Sequence, residues 1–276
     1  MITDATIDSL SAIVPTDSDT HTGEDGLLYC NRCHTARQCK IEIFGKVKTV
    51  NCLCQCMAAE RDRLEEERKQ REYMTRVMSN RAVGFPDKEL MHCTFDMDDG
   101  STPVLTNAMK AYVENFPEFR KSGKGLLLYG DVGTGKTFYA ACIVNALIDK
   151  GYPCLMTNFS RLTNQIAGMW EGKQEYIDSL RMFALVAIDD LGVERDTEYM
   201  NENVTTIIDS LYRAKVPMII TSNYTPKQLT DDCEIRKKRV YDRMLERCHP
   251  VKVNGASRRK TMGRNDFAEM NKLLGL

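Results

Sequence analysis

Within its 276 residues the chain has no run of roughly 18 or more apolar residues, the length that a membrane-crossing helix requires. No transmembrane helix is therefore expected. Its first residues include Asp4 and Asp8 and lack a basic start, so no secretory signal is expected there and a cytoplasmic setting follows. The chain also lacks a charge bias: 38 Lys and Arg against 39 Asp and Glu leave a net charge of -1. A global electrostatic grip on nucleic acid or on a membrane is not expected, and any DNA contact has to come from a local patch. No internal repeat is visible. With 42% apolar and 28% charged residues, the composition suits an ordinary globular chain with a buried core.

What is present is unevenly distributed. Six of the eleven cysteines, Cys30, Cys33, Cys39, Cys52, Cys54 and Cys56, crowd into one short segment. In a reducing compartment such a cluster points to metal before disulfides. Cys30-x-x-Cys33 supplies one half of a tetrahedral zinc site, and Cys52-x-Cys54-x-Cys56 offers three thiolates where two are needed. Cys30, Cys33, Cys54 and Cys56 are the expected ligands, with Cys39, Cys52 and His34 as substitutes. No nearby acid suggests catalysis, so the zinc would be structural. The run from Arg61 to Glu72 alternates charge among strong helix formers, without Gly or Pro, and reads as a solvated helix.

Beyond Gly84-Phe85-Pro86, and after a helix expected near Val104 to Phe119, short apolar runs alternate with helical stretches, the signal of a parallel α/β sheet. Strands are expected at Gly125 to Tyr129, Pro153 to Thr157, Ala184 to Ile188 and Met218 to Thr221. Helices are expected at Gly135 to Lys150, Ser160 to Trp170 and Glu198 to Ala214. A short strand near Val251 to Val253 and a closing helix capped by Asp266 complete the pattern. The expected division is a loose tail over 1–28, a metal module over 29–58, a charged helical linker over 59–84 and an ATPase domain over 85–276.

The strongest motif is Gly130-Asp131-Val132-Gly133-Thr134-Gly135-Lys136-Thr137, a P-loop between an apolar strand and a good helix. Its glycines let the backbone wrap phosphate oxygens, and Phe138 continues the nucleotide-binding segment into the helix. Lys136 can reach the β- and γ-phosphates of ATP or ADP, and the Thr137 hydroxyl can ligate Mg²⁺. A second metal-side carboxylate comes from Leu185-Val186-Ala187-Ile188-Asp189-Asp190. There Asp189 is placed to hold Mg²⁺ and Asp190 to polarise the attacking water. Asn223, ending the strand Met218 to Ser222, is a candidate γ-phosphate sensor at the ligand-binding edge of the sheet. Arg236, Arg239, Arg243 and Arg247 fall on one side of a helix, with Arg258-Arg259-Lys260 beyond. They suit a solvated basic face, an arginine donated across a subunit boundary, or a groove for single-stranded nucleic acid with Lys237 and Lys238 as phosphate contacts.

In this order of motifs the chain resembles the bacterial and phage DnaC/DnaI-type replicative helicase loaders. The resemblance runs from about Tyr29 to the C-terminus. Its more specific elements are the cysteine cluster, Thr94-Phe95-Asp96, Thr221-Ser222-Asn223-Tyr224 and Arg239-Val240-Tyr241-Asp242-Arg243-Met244. The resemblance implies an AAA+ core related to the initiator DnaA. It implies a zinc module that grips a DnaB-type hexameric helicase, a core that handles ATP and single-stranded DNA, and self-assembly in the ATP-bound state. It makes Arg239 or Arg243 the arginine finger and Arg259 the second sensor, with Arg258 as alternative. Two other readings stand beside it: a transposition helper ATPase of the IstB type, and a nucleotide-binding scaffold with little turnover.

Overall fold

The computed structural model describes residues 19–191, 198–231, 235–255, 270 and 272–274. The chain divides into two compact units, Met1–Met74 and Thr75–Leu276. The expected cap at Asp266, together with Cys233, Arg258 and Arg259, lies outside the described residues.

In the first unit, β1 (Thr20–Thr22) pairs antiparallel with β2 (Leu28–Cys30), and β3 (Gln38–Ile43) with β4 (Lys46–Asn51). The loose tail expected over 1–28 is thus too long at its end: regular pairing already begins at Thr20. The cause is local, since Asp25 Oδ1 accepts from the Leu27 amide (3.0 Å) and Gly23 N donates to Leu27 O (2.9 Å), closing a tight turn. The 30-residue helix α1 (Gln55–Gly84) starts in this unit. No Gly or Pro interrupts it before its last residue, and ion pairs of Arg63 with Glu60 and Glu67, Glu65 with Lys69 and Arg68 with Glu72 line its exposed surface. Among the described residues of this unit, the buried apolar side chains are Cys30 and Cys54 alone. Residues 19–74 therefore form no hydrophobic core of their own.

The second unit is built on a five-stranded parallel sheet in the order β6-β7-β8-β5-β9. The strands are β5 (Gly125–Tyr129), β6 (Cys154–Asn158), β7 (Leu185–Leu191), β8 (Met218–Ser222) and β9 (Cys248–Lys252). Helices α2 (Pro103–Glu114) and α3 (Phe116–Ser122) precede it. The sequence pattern suggests one helix there, but Pro117 in the first turn of α3 withholds an amide and resteps the chain. Helices α4 (Lys136–Asp149), α5 (Phe159–Ala167), α6 (Lys173–Ser179), α7 (Glu198–Arg213), α8 (Pro226–Asp231) and α9 (Ile235–Arg247) follow in chain order. Trp170, between α5 and α6, is 98% exposed.

Both faces of the sheet are covered, which is why its strands read as unbroken apolar runs. Side chains alternate between two cores. Leu126, Leu128, Cys154, Met156, Leu185, Ala187 and Ile219 join one cluster with α4 and α2, whereas Leu127, Leu155, Val186, Ile188, Met218 and Ile220 join the other with α5, α7 and α9. The last turns of α1 dock on the first core through Val77, and Arg81 bonds Asn145 and pairs with Asp149. No helix among the described residues is long and apolar enough to cross a membrane.

Candidate functional site

Because the five strands are parallel, their carboxyl ends share one edge, and the chain reverses direction around β5. That edge beside β5 is where a ligand crevice forms in such sheets. The loop 130–135 leaves β5 there and enters α4 with Gly130, Gly133 and Gly135 at φ of 145°, 85° and 98°, a region that favours glycine. Gly130 is constrained further: a Cβ on it would sit 2.4 Å from Val253 O. The loop is stapled by Thr134 Oγ1 donating to Asp131 O (2.9 Å). Lys136, buried, donates from Nζ to Gly130 O (2.9 Å) and Asp131 O (2.7 Å). Its ammonium therefore stays inside the loop curvature, ready to exchange these carbonyls for phosphate oxygens. Phe138 faces the core, edge-on to Tyr139 with ring centroids 5.5 Å apart. Asp131 and Val132 are exposed at the loop tip.

The Thr137 hydroxyl lies 3.0 Å from both carboxylate oxygens of Asp189, so the two residues expected to hold Mg²⁺ meet across 52 positions of chain. Burial pushes the Asp189 carboxyl above its ordinary range, opposed by the Thr221 hydrogen bond. A bound cation would relieve that cost, and a hydroxyl beside a carboxylate is the oxygen donor set that Mg²⁺ takes. Asp190 is exposed with φ 58°. Asn223 is exposed just past β8, where Gly130 N donates to Ser222 O (3.3 Å), so its backbone borders the loop. One participant was not foreseen: Thr221 Oγ1 contacts both Asp189 Oδ1 (2.6 Å) and Asp190 N (2.9 Å). The signal was a lone hydroxyl pair ending an apolar strand, which sequence alone cannot aim.

Of the arginines on α9, Arg243 pairs with Asp209 of α7 and stands 5.7 Å from the Tyr212 ring, while Arg247 lies 4.8 Å from the same ring and donates to Ser122 O (3.0 Å). Arg239 shares the helix backbone; its side chain, like that of Arg236, lies outside the described residues.

In the first unit Cys30 ends β2, Cys33 follows in a turn closed by His34 N donating to Cys30 O (2.9 Å), and Cys54 and Cys56 flank the start of α1. Their four Sγ atoms lie within 4.8 Å of one another, with Cys30 to Cys56 at 3.6 Å and Cys54 to Cys56 at 3.3 Å. A zinc ion with bonds of about 2.3 Å to four sulfurs sets them roughly 3.8 Å apart; the donor set fits. The Thr35 hydroxyl, 3.0 Å from Cys33 Sγ, helps pull that thiol down to about 5. Cys56, crowded by Cys54, Cys30 and Cys33, is pushed up to about 12. Four thiols this close cannot all ionise unless a cation shares their charge. Cys39, Cys52 and His34 stay outside the group, Cys52 Sγ lying 3.4 Å from Ala36 O.

A phosphate-binding loop leaving β5, with the carboxylate strand β7 two positions away in the sheet and β8 inserted between them, defines a P-loop nucleotide-binding protein of the AAA+ type. The chain belongs to the family of IstB-like ATP binding proteins, whose model matches residues 58–265. It is similar to the replicative helicase loader DnaI of Bacillus subtilis (strain 168), at 24% identity over 212 residues, 71% of this chain and 66% of that protein. It is also similar to the replicative helicase loader DnaC of Buchnera aphidicola subsp. Acyrthosiphon pisum (strain APS), at 29% identity, 62% of this chain and 69% of that protein. The match thus spans about two thirds of these relatives. A crystal structure of DnaI shares the fold with a TM-score of 0.54 and 22% identity, covering 65% of this chain and 98% of that one. So does a replication initiator DnaA bound to AMPPCP and single-stranded DNA, at a TM-score of 0.51 and 18% identity, covering 68% and 57%.

Proposed function

We propose that this protein is an ATP-dependent helicase loader that holds a DnaB-type hexameric replicative helicase and delivers it to single-stranded DNA. In this reading the loop amides and Lys136 hold the triphosphate, while Thr137 and Asp189 hold Mg²⁺. Bound Mg²⁺ supplies charge neutralisation at the β- and γ-oxygens. Asp190 orients the attacking water from the exposed end of β7, and Asn223 reads the γ-phosphate. Arg243 is engaged within its own subunit by Asp209 and Tyr212, which supports Arg239 as the finger reaching a neighbouring copy. Arg259, or Arg258 beside it, is the second sensor. Cys30, Cys33, Cys54 and Cys56 hold a structural zinc, hydrolysis is slow and times release of the helicase, and the protein works in the cytoplasm.

The observation that carries the loader reading over a transposition helper or a passive scaffold is the four-thiol cluster ahead of an AAA+ core. A separate module of this kind is suited to holding a partner while the core cycles through ATP. Pull-down with the cognate hexameric helicase tests it: capture that disappears when residues 1–56 are deleted is expected. Equal capture by the deleted protein, or none by the intact one, refutes the assignment.

A further inference from the structure

We propose that Thr221 is a positioning residue for both carboxylates of the nucleotide site, acting through a β-bulge that its hydroxyl closes. The inference rests on the reading of Asp189 as the Mg²⁺ ligand. Between β7 and β8 the register runs Val186 to Met218, Ala187 to Ile219 and Ile188 to Ile220, then resumes at Leu191 to Ser222. Two residues of β7, Asp189 and Asp190, therefore oppose one residue of β8, Thr221. A bulge of this kind re-aims side chains and leaves an amide without its ladder partner. Thr221 Oγ1 takes that place, accepting from Asp190 N (2.9 Å). The same oxygen donates its proton to Asp189 Oδ1 (2.6 Å).

A hydroxyl has one proton to give and lone pairs to receive with, so both contacts are satisfied at once and neither is interchangeable. Thr221 is 1% exposed, and water has little access to replace it. Its branched side chain is stiff at χ1, which fixes the direction of the oxygen. With Asp190 N held, that residue keeps its left-handed φ of 58°, a conformation unfavourable to a side chain without such support. Ser222 completes the clasp, donating to Leu191 O (3.0 Å) and accepting from Tyr224 N (3.1 Å). Asn223 sits between these anchored residues. The aim of the metal-side carboxylate and the position of the γ-phosphate reader are thereby set by one strand end.

The test uses the full chain and a fluorescent ATP analogue titrated with and without Mg²⁺. Thr221→Val keeps the shape and removes both bonds; Thr221→Ser keeps the hydroxyl. With Val, affinity without Mg²⁺ should stay within about twofold, while the Mg²⁺ concentration giving half-maximal tightening should rise roughly tenfold, as loss of an outer-shell partner does at other metal sites. Ser should restore it, and melting temperatures report folding, with Thr221→Ala as the second variant should Val disturb the fold. Wild-type Mg²⁺ dependence in the Val or Ala variant, or equal behaviour of Ser and Val, overturns the proposal while leaving the nucleotide site intact. A wild-type chain that binds no nucleotide overturns both this and the ATPase reading. Binding without hydrolysis removes only the latter, since the metal dependence still judges Thr221.

Discussion

Gly130 and Asp189 show how much one position can carry. Replacing Gly130 by Ala sets a methyl 2.4 Å from Val253 O on a backbone at φ 145°. The expected loss is about 1–3 kcal/mol of stability, seen in urea unfolding, with weakened nucleotide binding because the loop must shift. Asp189 has the opposite character, since its burial costs the fold something. Its folded pKa is raised above the ordinary 3.8, so between these values the folded chain keeps a proton that the unfolded chain has released. Stability of the nucleotide-free protein therefore falls as pH rises through that window and stays lower above it. Asp189→Asn should lack this slope and unfold at higher urea than wild type at neutral pH. It should also lose the Mg²⁺-dependent tightening of nucleotide. A wild type whose unfolding midpoint rises through the same window would contradict the burial argument.

At the scale of elements, α9 separates two arginines that its sequence leaves alike. Arg243 ties α9 to α7 through Asp209, with both side chains about three-quarters buried (22% and 23% exposed). Removing it strands a partly buried carboxylate, so Arg243→Ala should cost about 1–3 kcal/mol, or several degrees in melting temperature. Arg239→Ala should preserve nucleotide affinity and abolish hydrolysis that depends on assembly. Assembly-dependent hydrolysis that survives Arg239→Ala but is lost in Arg243→Ala would move the proposed finger to Arg243. This distinction was not legible beforehand, because spacing places both residues on one helix side while the partner, Asp209, comes from 34 positions away. The strands were legible for a physical reason: burial on both faces makes them short apolar runs, and Leu126-Leu127-Leu128 announces itself. The bulge in β7 was not, since a register exists only between two strands and Asp189-Asp190 looks the same with or without it.

For the whole molecule, the two units differ in what their described residues bury. The second buries two apolar clusters, whereas residues 19–74 bury only Cys30 and Cys54 among apolar side chains. A segment so poor in core needs support from elsewhere to fold, and the proposed zinc would supply it. The purified chain should carry one zinc, which Cys54→Ser removes, and chelation should abolish a low-temperature unfolding step while the step of the P-loop unit persists. Retention of a full zinc complement by both Cys30→Ser and Cys54→Ser would exclude this site. The cysteine spacing made the grouping of four thiols readable, but how little else residues 19–74 bury became visible only with the burial of each side chain. At this scale Trp170 has a practical consequence. It is the chain's sole indole, held in water between α5 and α6, so intrinsic emission excited in the indole band reports on that loop alone. The protein carries its own label, and quenching or a blue shift on adding any partner tells at once whether this corner of the surface has been covered.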